Sequence, residues 1–133
     1  MKVSASRLAA ALAARFAAVV PPPFGVRADG TDFVVDHPTG WGLTMPLEWI
    51  EEEGEQRDAG HLAELIAGNA LESVQDAVCE SSREAWPQLG PHVMALPGTR
   101  RDASHVYLWY GPSEHSAAIS MEPIPLASVV HLE

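Results

Sequence analysis

The sequence predicts a single α+β domain spanning residues 1–133, in which an antiparallel sheet of five or six strands carries two helices. Two long segments repeat their apolar residues with the helical period, and several short segments between them alternate apolar and polar residues. Glycine and proline turns bound the short segments, as expected for strands joined by tight connections. The predicted order α-β-β-β-α-β-β-β favours an antiparallel sheet with its helices packed on one face.

The longer helix is predicted over residues 58–86. Asp58 is suited to cap its first turn, and Pro87 is expected to stop it. At 100° per residue, one side of this helix is apolar. The apolar positions are Ala63, Ile66, Ala67, Ala70, Leu71, Val74, Ala77, Val78 and Ala85.

The other helix is predicted over residues 4–20, with Ser4 or Ser6 as its cap. Leu8, Leu12 and Phe16 share one face. The same segment has some features of a signal peptide, but Arg15 interrupts the apolar run, so a folded amphipathic helix is favoured. No run in the chain approaches the length of a membrane span.

Three strands are predicted between the helices and three after the second helix. Asp29-Gly30 is a two-residue hairpin signal between the first two strands. Residues 41–49 alternate, and Pro46 places that strand at a sheet edge because proline cannot donate to a ladder. An acidic loop, residues 51–57, leads into the longer helix. The later strands are predicted at 92–96, 104–110 and 116–121, and the tail over 123–130 is predicted to be irregular.

Composition excludes several classes of function. The formal net charge is −10, with 18 acidic and 8 basic residues, and clustered lysine and arginine would be needed to bind nucleic acid or an anionic membrane. One cysteine, Cys79, rules out an internal disulfide and favours a reducing, cytoplasmic compartment. The charge is compatible with a basic protein partner.

No pattern of residues predicts catalysis, a metal site or a cofactor. The six histidines, His37, His61, His92, His105, His115 and His131, form no metal-binding motif. Cys79 falls late in a helix beside Glu80, which favours an unreactive thiol. The acidic segment 48–58 lacks the ligand spacing of a calcium loop, so it is either a solvated loop or a docking surface for a basic partner. Asp32 and Asp36 fall on the expected solvent face of their strand.

Aromatic residues supply the candidate partner surface. In the strand around 106–110, Val106, Leu108 and Tyr110 can face one side, with Tyr107 and Trp109 on the other. Both faces are therefore apolar, and the second is covered either by this chain or by another protein. Trp41 and Trp49 lie on a strand that could extend the patch. Tyrosine and tryptophan are enriched at interfaces, so these four residues form the predicted contact surface.

The element order resembles the small α+β fold of the type III secretion chaperones and of related uncharacterised small bacterial proteins. This resemblance implies a homodimer that binds other proteins and catalyses nothing. We therefore expect a non-enzymatic, chaperone-like or adaptor-like domain that binds itself or another, possibly basic, protein. One alternative is a small-molecule binder or hydrolase-like enzyme with a cleft lined by His105, His115 or Asp32. Another is an acidic inhibitor or immunity-type protein.

Overall fold

A computed structural model describes residues 2–53 and 58–131 of the chain. Its helices are α1 (Ala5–Ala17), α2 (Ile50–Glu53), α3 (Ala59–Ser82) and α4 (Leu126–Val129), with a 3-10 turn at Glu114–Ser116. Its strands are β1 (Lys2–Val3), β2 (Gly25–Asp29), β3 (Asp32–Asp36), β4 (Gly42–Pro46), β5 (Gln88–Gly90), β6 (Val93–Met94), β7 (Pro97–Arg101), β8 (His105–Tyr110), β9 (Ile119–Ser120), β10 (Ile124–Pro125) and β11 (Val130–His131).

The predicted α+β class is confirmed, but the single sheet with two helices is wrong. The described strands form several antiparallel sheets: β2-β3-β4, β7-β8 with β9 and β10, and the pairs β1-β11 and β5-β6. Four helices are present among the described residues rather than two. Strand periodicity indicates which face of a strand is buried but not which strand pairs with it. The sequence therefore could not show whether the strands form one sheet or several.

Helix α1 covers the first sheet. The Ser4 hydroxyl accepts a hydrogen bond from the Arg7 N–H, as a cap should. The expected face is buried, and Phe16 meets Phe33 of β3 edge to face at 5.5 Å between ring centroids. The N-terminal segment is therefore part of the folded core in this structure.

The first sheet is a meander in which β3 is central and β4 lies at the edge. Pro46 ends β4 opposite Asp32, in agreement with the edge position expected for proline. The strand is shorter than predicted, since Trp41 and Trp49 fall outside it. The expected acidic loop is partly wrong because Ile50–Glu53 forms α2, and its remainder, residues 54–57, lies outside the described residues.

Helix α3 covers the second sheet. Asp58 caps it, and the backbone hydrogen bond from His61 at 2.9 Å lowers the pKa of the Asp58 carboxyl. The helix ends at Ser82 rather than at the predicted residue 86. Arg83 adopts left-handed backbone, with φ of 60°, and its N–H closes onto the Cys79 carbonyl, which terminates the helix before Pro87.

The C-terminal tail is ordered, contrary to expectation. It forms β10, α4 and β11 instead of irregular chain. The Arg15 guanidinium of α1 holds it by donating to the carbonyls of Glu122 and Pro123 at 2.9 and 2.8 Å. These contacts link residues more than 100 positions apart, so no local pattern could reveal them. In the described part of the chain, no helix has both the length and the apolar character needed to cross a bilayer.

Candidate functional site

Four of the seven large apolar side chains that are exposed in the described residues lie on the hairpin formed by β5 and β6 and in the segment that follows it. Leu89, Val93, Met94 and Leu96 are 47%, 52%, 38% and 63% exposed. We call these four residues the hairpin patch. Four large apolar side chains exposed within eight consecutive residues are unusual for a solvated segment.

The edges of this hairpin are open. Strands β5 and β6 pair with each other, and neither pairs with another described strand. Their outer edges therefore carry no strand pairing within the described residues. Lysine and proline often protect such edges. Residues 88–96 contain no lysine, and their one proline, Pro91, lies in the connecting turn.

The base of the hairpin is held to α3 by buried hydrogen bonds. The Ala95 N–H donates to the Pro87 carbonyl at 2.7 Å and closes the base. The Gln75 side-chain amide, only 4% exposed, donates to the carbonyls of Ala95 and Trp86 at 2.6 and 3.2 Å. An isolated two-stranded hairpin is marginally stable in water, so these contacts fix its position.

Cys79 belongs to the same attachment. Its thiol Sγ lies 3.7 Å from the Met94 Sδ and accepts a hydrogen bond from the Trp86 N–H at 3.3 Å. The Trp86 ring in turn packs edge to face on Tyr110, with 5.3 Å between centroids. Cys79 is therefore explained as a residue that packs between α3 and the hairpin.

Tyr110 fixes this region to the second sheet. Its hydroxyl donates to the Leu71 carbonyl of α3 at 2.6 Å. Burial raises the pKa of this phenol well above its ordinary value of 10.0, and the nearby Cys79 and Asp76 raise it further. The ring is thus kept neutral under the helix.

An acidic stripe runs along the exposed side of α3. It consists of Glu72, Asp76 and Glu80, spaced four residues apart and all exposed. Asp76 directly follows Gln75, and Glu80 directly follows Cys79, the two residues that hold the hairpin. None of the three forms an ion pair with another described residue. Each like-charge i,i+4 pair costs a helix about 0.2–0.5 kcal/mol.

The four aromatic residues predicted as a partner surface lie at two different sheets, Trp41 and Trp49 beside β4 and Tyr107 and Trp109 on β8. Trp41 and Trp49 are 39% and 44% exposed but flank opposite ends of β4. Trp41 packs on Phe24 at 6.2 Å between centroids, and the Trp49 indole N–H donates to the Pro46 carbonyl at 3.1 Å. Both tryptophans therefore contact residues of this chain at the ends of the first sheet.

Tyr107 and Trp109 lie on the face of β8 that points away from α3, and both are half-buried. The Arg100 guanidinium sits 4.0 Å above the Tyr107 ring and pairs with Glu114 at 2.8 Å. The Trp109 indole lies flat on Gly98 of β7, where a Cβ atom would come within 2.5 Å of the ring. Its N–H is buried without a hydrogen-bond partner among residues 2–53 and 58–131. The chain itself thus covers much of this face.

The residues expected to line a catalytic cleft are dispersed. Asp32 belongs to β3 of the first sheet, His105 to β8 of the second, and His115 to the exposed 3-10 turn. The two sheets therefore do not bring Asp32 and His105 together, and a cleft at any one of these residues stays a prediction. No group of three or more potential ligands among His, Cys, Asp and Glu gathers within the described residues.

One polar cluster near His105 has the composition of a catalytic triad without its geometry. The Ser104 hydroxyl lies 2.8 Å from His105 Nδ1 and 3.1 Å from Asp102 Oδ1. Asp102 accepts from the backbone of Ser104 and His105, and these bonds hold the pKa of its carboxyl well below its ordinary value. The carboxylate therefore stabilises a turn and does not orient the imidazole, as a triad would require.

A cavity of about 500 Å³ adjoins that turn. It lies between the first turn of α3, the β7–β8 connection and the C-terminal segment, and its walls are mostly apolar. Gly60, Ser104 and Leu126 line it.

Comparisons with protein-family models, with curated proteins and with solved structures return no significant match. The assignment of a function therefore depends on the geometry of this chain alone. The hairpin patch was missed by the sequence prediction because the segment LGPHVMAL has no regular alternation. Its one available signal was a high density of apolar residues around a Gly-Pro turn.

Proposed function

We propose that this chain is a non-enzymatic protein-binding domain whose contact surface is the hairpin patch. One observation carries the proposal: four of the seven large apolar side chains exposed in the described structure lie within residues 89–96. Exposed apolar residues scattered singly need no explanation, whereas a cluster on an open-edged hairpin does.

The attachment of the hairpin supports this role. Gln75 and Cys79 hold its base, so the apolar side chains are presented on a preorganised element rather than on a mobile loop. Preorganisation lowers the entropic cost of binding a partner.

The homodimer expected from the sequence stays a prediction, as does the relation to the secretion chaperones. A second copy would bring another chain of net charge −10 against the first. Like-charge repulsion of this kind disfavours self-association. We therefore favour a different protein as the partner, which also suits an acidic inhibitor or immunity-type role.

The test is a peptide-display selection on the intact protein, followed by fluorescence anisotropy with each enriched peptide. Binding is compared among wild type, L89S/L96S and L65S. Leu65 is also exposed, at 38%, but lies on α3 outside the patch, so L65S is a matched control for the loss of surface leucine. All three positions are exposed, so we expect serine to be tolerated at each of them.

We expect enriched peptides to lose at least about tenfold in affinity for L89S/L96S, which corresponds to about 1.4 kcal/mol, and to keep their affinity for L65S. The proposal is overturned if the selection yields no peptide, or if the enriched peptides bind L89S/L96S and wild type equally.

A second candidate function, small-molecule binding, is favoured by the 500 Å³ cavity, whose volume is in the range of ligand sites. Nile red, a neutral apolar dye, serves as the probe. Dye fluorescence that falls in A127W, at the cavity wall, and persists in L89S/L96S would support this function. The opposite pattern would place the dye on the hairpin and contradict it.

A further inference from the structure

Two adjoining cavities lie where the end of α3 meets the first sheet. One, of about 270 Å³, is lined by Phe24, His37 and Trp86, and the other, of about 260 Å³, by Trp41. Ser81 lines both cavities, so together they form one depression. We call it the aromatic groove and define it by six of its lining residues: Phe24, His37, Trp41, Glu80, Glu84 and Trp86.

We propose that the aromatic groove binds a small organic cation whose head is a trimethylammonium group. Aromatic rings form much of the groove, and two carboxylates supply its negative charge. None of the four residues of the hairpin patch lines the groove. This second site is therefore independent of the proposed protein-binding function.

The rings of the groove are set at steep angles rather than stacked. The Phe24 ring meets the His37 ring at 66° with 5.1 Å between centroids, and the Trp41 ring at 86° with 6.2 Å. An edge-to-face contact covers only one face of one ring, and Trp41 is 39% exposed, so aromatic surface is left for a ligand. The negative face of an aromatic ring attracts a cation.

The charge of the groove is negative. Glu80 and Glu84 are both exposed, and neither forms an ion pair with another residue in the described ranges. Arg83 adjoins Glu84 in sequence but lines neither cavity. The His37 Nδ1 accepts a hydrogen bond from the Thr39 N–H at 3.3 Å, a contact that requires a neutral imidazole. A bound cation would thus meet carboxylates and uncharged rings.

The same chemistry selects among organic cations. A guanidinium or a primary ammonium needs hydrogen-bond acceptors for its N–H groups, whereas a trimethylammonium head needs only aromatic surface and negative charge. Each cavity is slightly smaller than the roughly 300–1,000 Å³ of pockets for drug-sized ligands, which suits a small head. A phosphocholine head is disfavoured because its phosphate would be repelled by Glu80 and Glu84.

The experiment follows the tryptophan indole N–H signals of the full chain by NMR during titration with choline chloride, at an ionic strength held constant with sodium chloride. The first comparison probe, 3,3-dimethylbutan-1-ol, has the shape of choline without its charge. The second, guanidinium chloride, has the charge with N–H donors. The third, N-acetyl-trimethyllysine methylamide, carries the same head on an amino acid.

The protein variants remove the rings and the charge separately. W41A removes one aromatic wall, and W41F keeps a ring there. W49A is the matched control, because Trp49 is exposed to a similar extent, at 44%, and lines neither cavity. E80Q/E84Q removes the charge of the groove, while E72Q/D76N removes the same charge from positions of α3 that do not line it.

We expect choline to bind at least about fivefold more tightly than either its neutral isostere or guanidinium. The indole signals of Trp41 and Trp86 should shift, and those of Trp49 and Trp109 should not. W41A and E80Q/E84Q should each weaken choline binding at least about threefold. W41F should keep most of the affinity, and W49A, E72Q/D76N and L89S/L96S should bind as wild type does.

The inference is overturned if choline shifts no indole signal, or if the neutral isostere or guanidinium binds as tightly as choline. It is also overturned if W41A and W49A bind choline equally, or if L89S/L96S abolishes binding, which would move the site to the hairpin patch. The trimethyllysine probe distinguishes the two sources of the head. Tighter binding than choline would support a methylated lysine of another protein as the ligand, and weaker binding would support a free small molecule.

Discussion

Trp109 shows at the scale of one residue how an aromatic side chain can pack on its own sheet. Its place on the open face of a strand predicts a partner contact, which stays a prediction, and the structure adds that its indole lies over Gly98 of the neighbouring strand. A glycine within a strand leaves a gap in the surface of a sheet, and an aromatic ring on the neighbouring strand can fill it. This pairing involves residues eleven positions apart whose register the sequence could not supply.

Substitution of Gly98 by alanine tests this packing. The new Cβ atom would lie 2.5 Å from the Trp109 ring, so we expect the free energy of unfolding to fall by about 1–3 kcal/mol. Gly25→Ala is the control, because a Cβ at Gly25 meets no atom within 4 Å. Urea denaturation measures both, and equal stability of the two variants would show that the indole is not packed on Gly98.

Tyr110 provides a prediction about pH at the same scale. Burial raises the pKa of its phenol above the ordinary value of 10.0, so the folded state retains a proton that the unfolded chain releases. The stabilising contribution is complete below pH 10 and is lost as the pH rises above that value, with a slope of at most about 1.4 kcal/mol per pH unit.

Urea titrations at pH 9 and at more alkaline values measure this effect. Y110F cannot ionise, so its free energy of unfolding should lose the part of the pH dependence that Tyr110 contributes. This variant should also be less stable at every pH, because the Leu71 carbonyl loses its donor. Y107F, at a half-buried position on the opposite face, should keep the slope. The account of Tyr110 is contradicted if Y110F and wild type have the same dependence on pH.

At the scale of elements, α1 and α3 were well predicted and the hairpin was not. Helical periodicity is a local property, so Leu8, Leu12 and Phe16 reveal a buried face without knowledge of the neighbouring sheet. The hairpin depends instead on Gln75, a polar residue in a helix, whose side chain reaches the carbonyl of Ala95 twenty positions later. Nothing in a helical pattern marks such a residue as buried.

The variant Q75L should therefore loosen the hairpin more than the helix. Loss of the amide leaves the Ala95 carbonyl buried without its donor, which costs about 1–3 kcal/mol. Hydrogen exchange should accelerate across residues 88–96 while the centre of α3 stays protected. Gln88→Ala, which removes an exposed amide bonded to the Ala85 carbonyl, is the control. Unchanged exchange in Q75L would mean that other contacts hold the hairpin.

At the scale of the whole molecule, the sequence predicts the fold class and the sign of the net charge of the protein. It does not predict how the strands are divided into sheets, because that depends on long-range pairing. The α+β class follows from local periodicity. The division into sheets depends on contacts such as β1 with β11, which join the two ends of the described chain. The candidate surface was missed for a related reason, since exposure is a property of the assembled fold.

Net charge leads to a prediction at this scale. A chain of charge −10 repels itself when compact, so added salt should raise the free energy of unfolding by screening. E72Q/D76N/E80Q has a charge of −7, from −10 plus 3, and should gain less from salt because it lacks two like-charge i,i+4 pairs. Thermal unfolding over a salt series measures both proteins. An equal gain in the free energy of unfolding for both proteins would show that repulsion within the acidic stripe does not destabilise the fold.

The central claim is that a partner contacts residues 89–96, and its most direct test is an amide NMR titration of the labelled protein with the peptides that the display selection enriches. We expect the largest shifts across residues 88–96 and unchanged indole N–H signals for Trp41, Trp49 and Trp109. Shifts concentrated on those three indoles, with residues 88–96 unmoved, would contradict the account and return the contact to the aromatic surface.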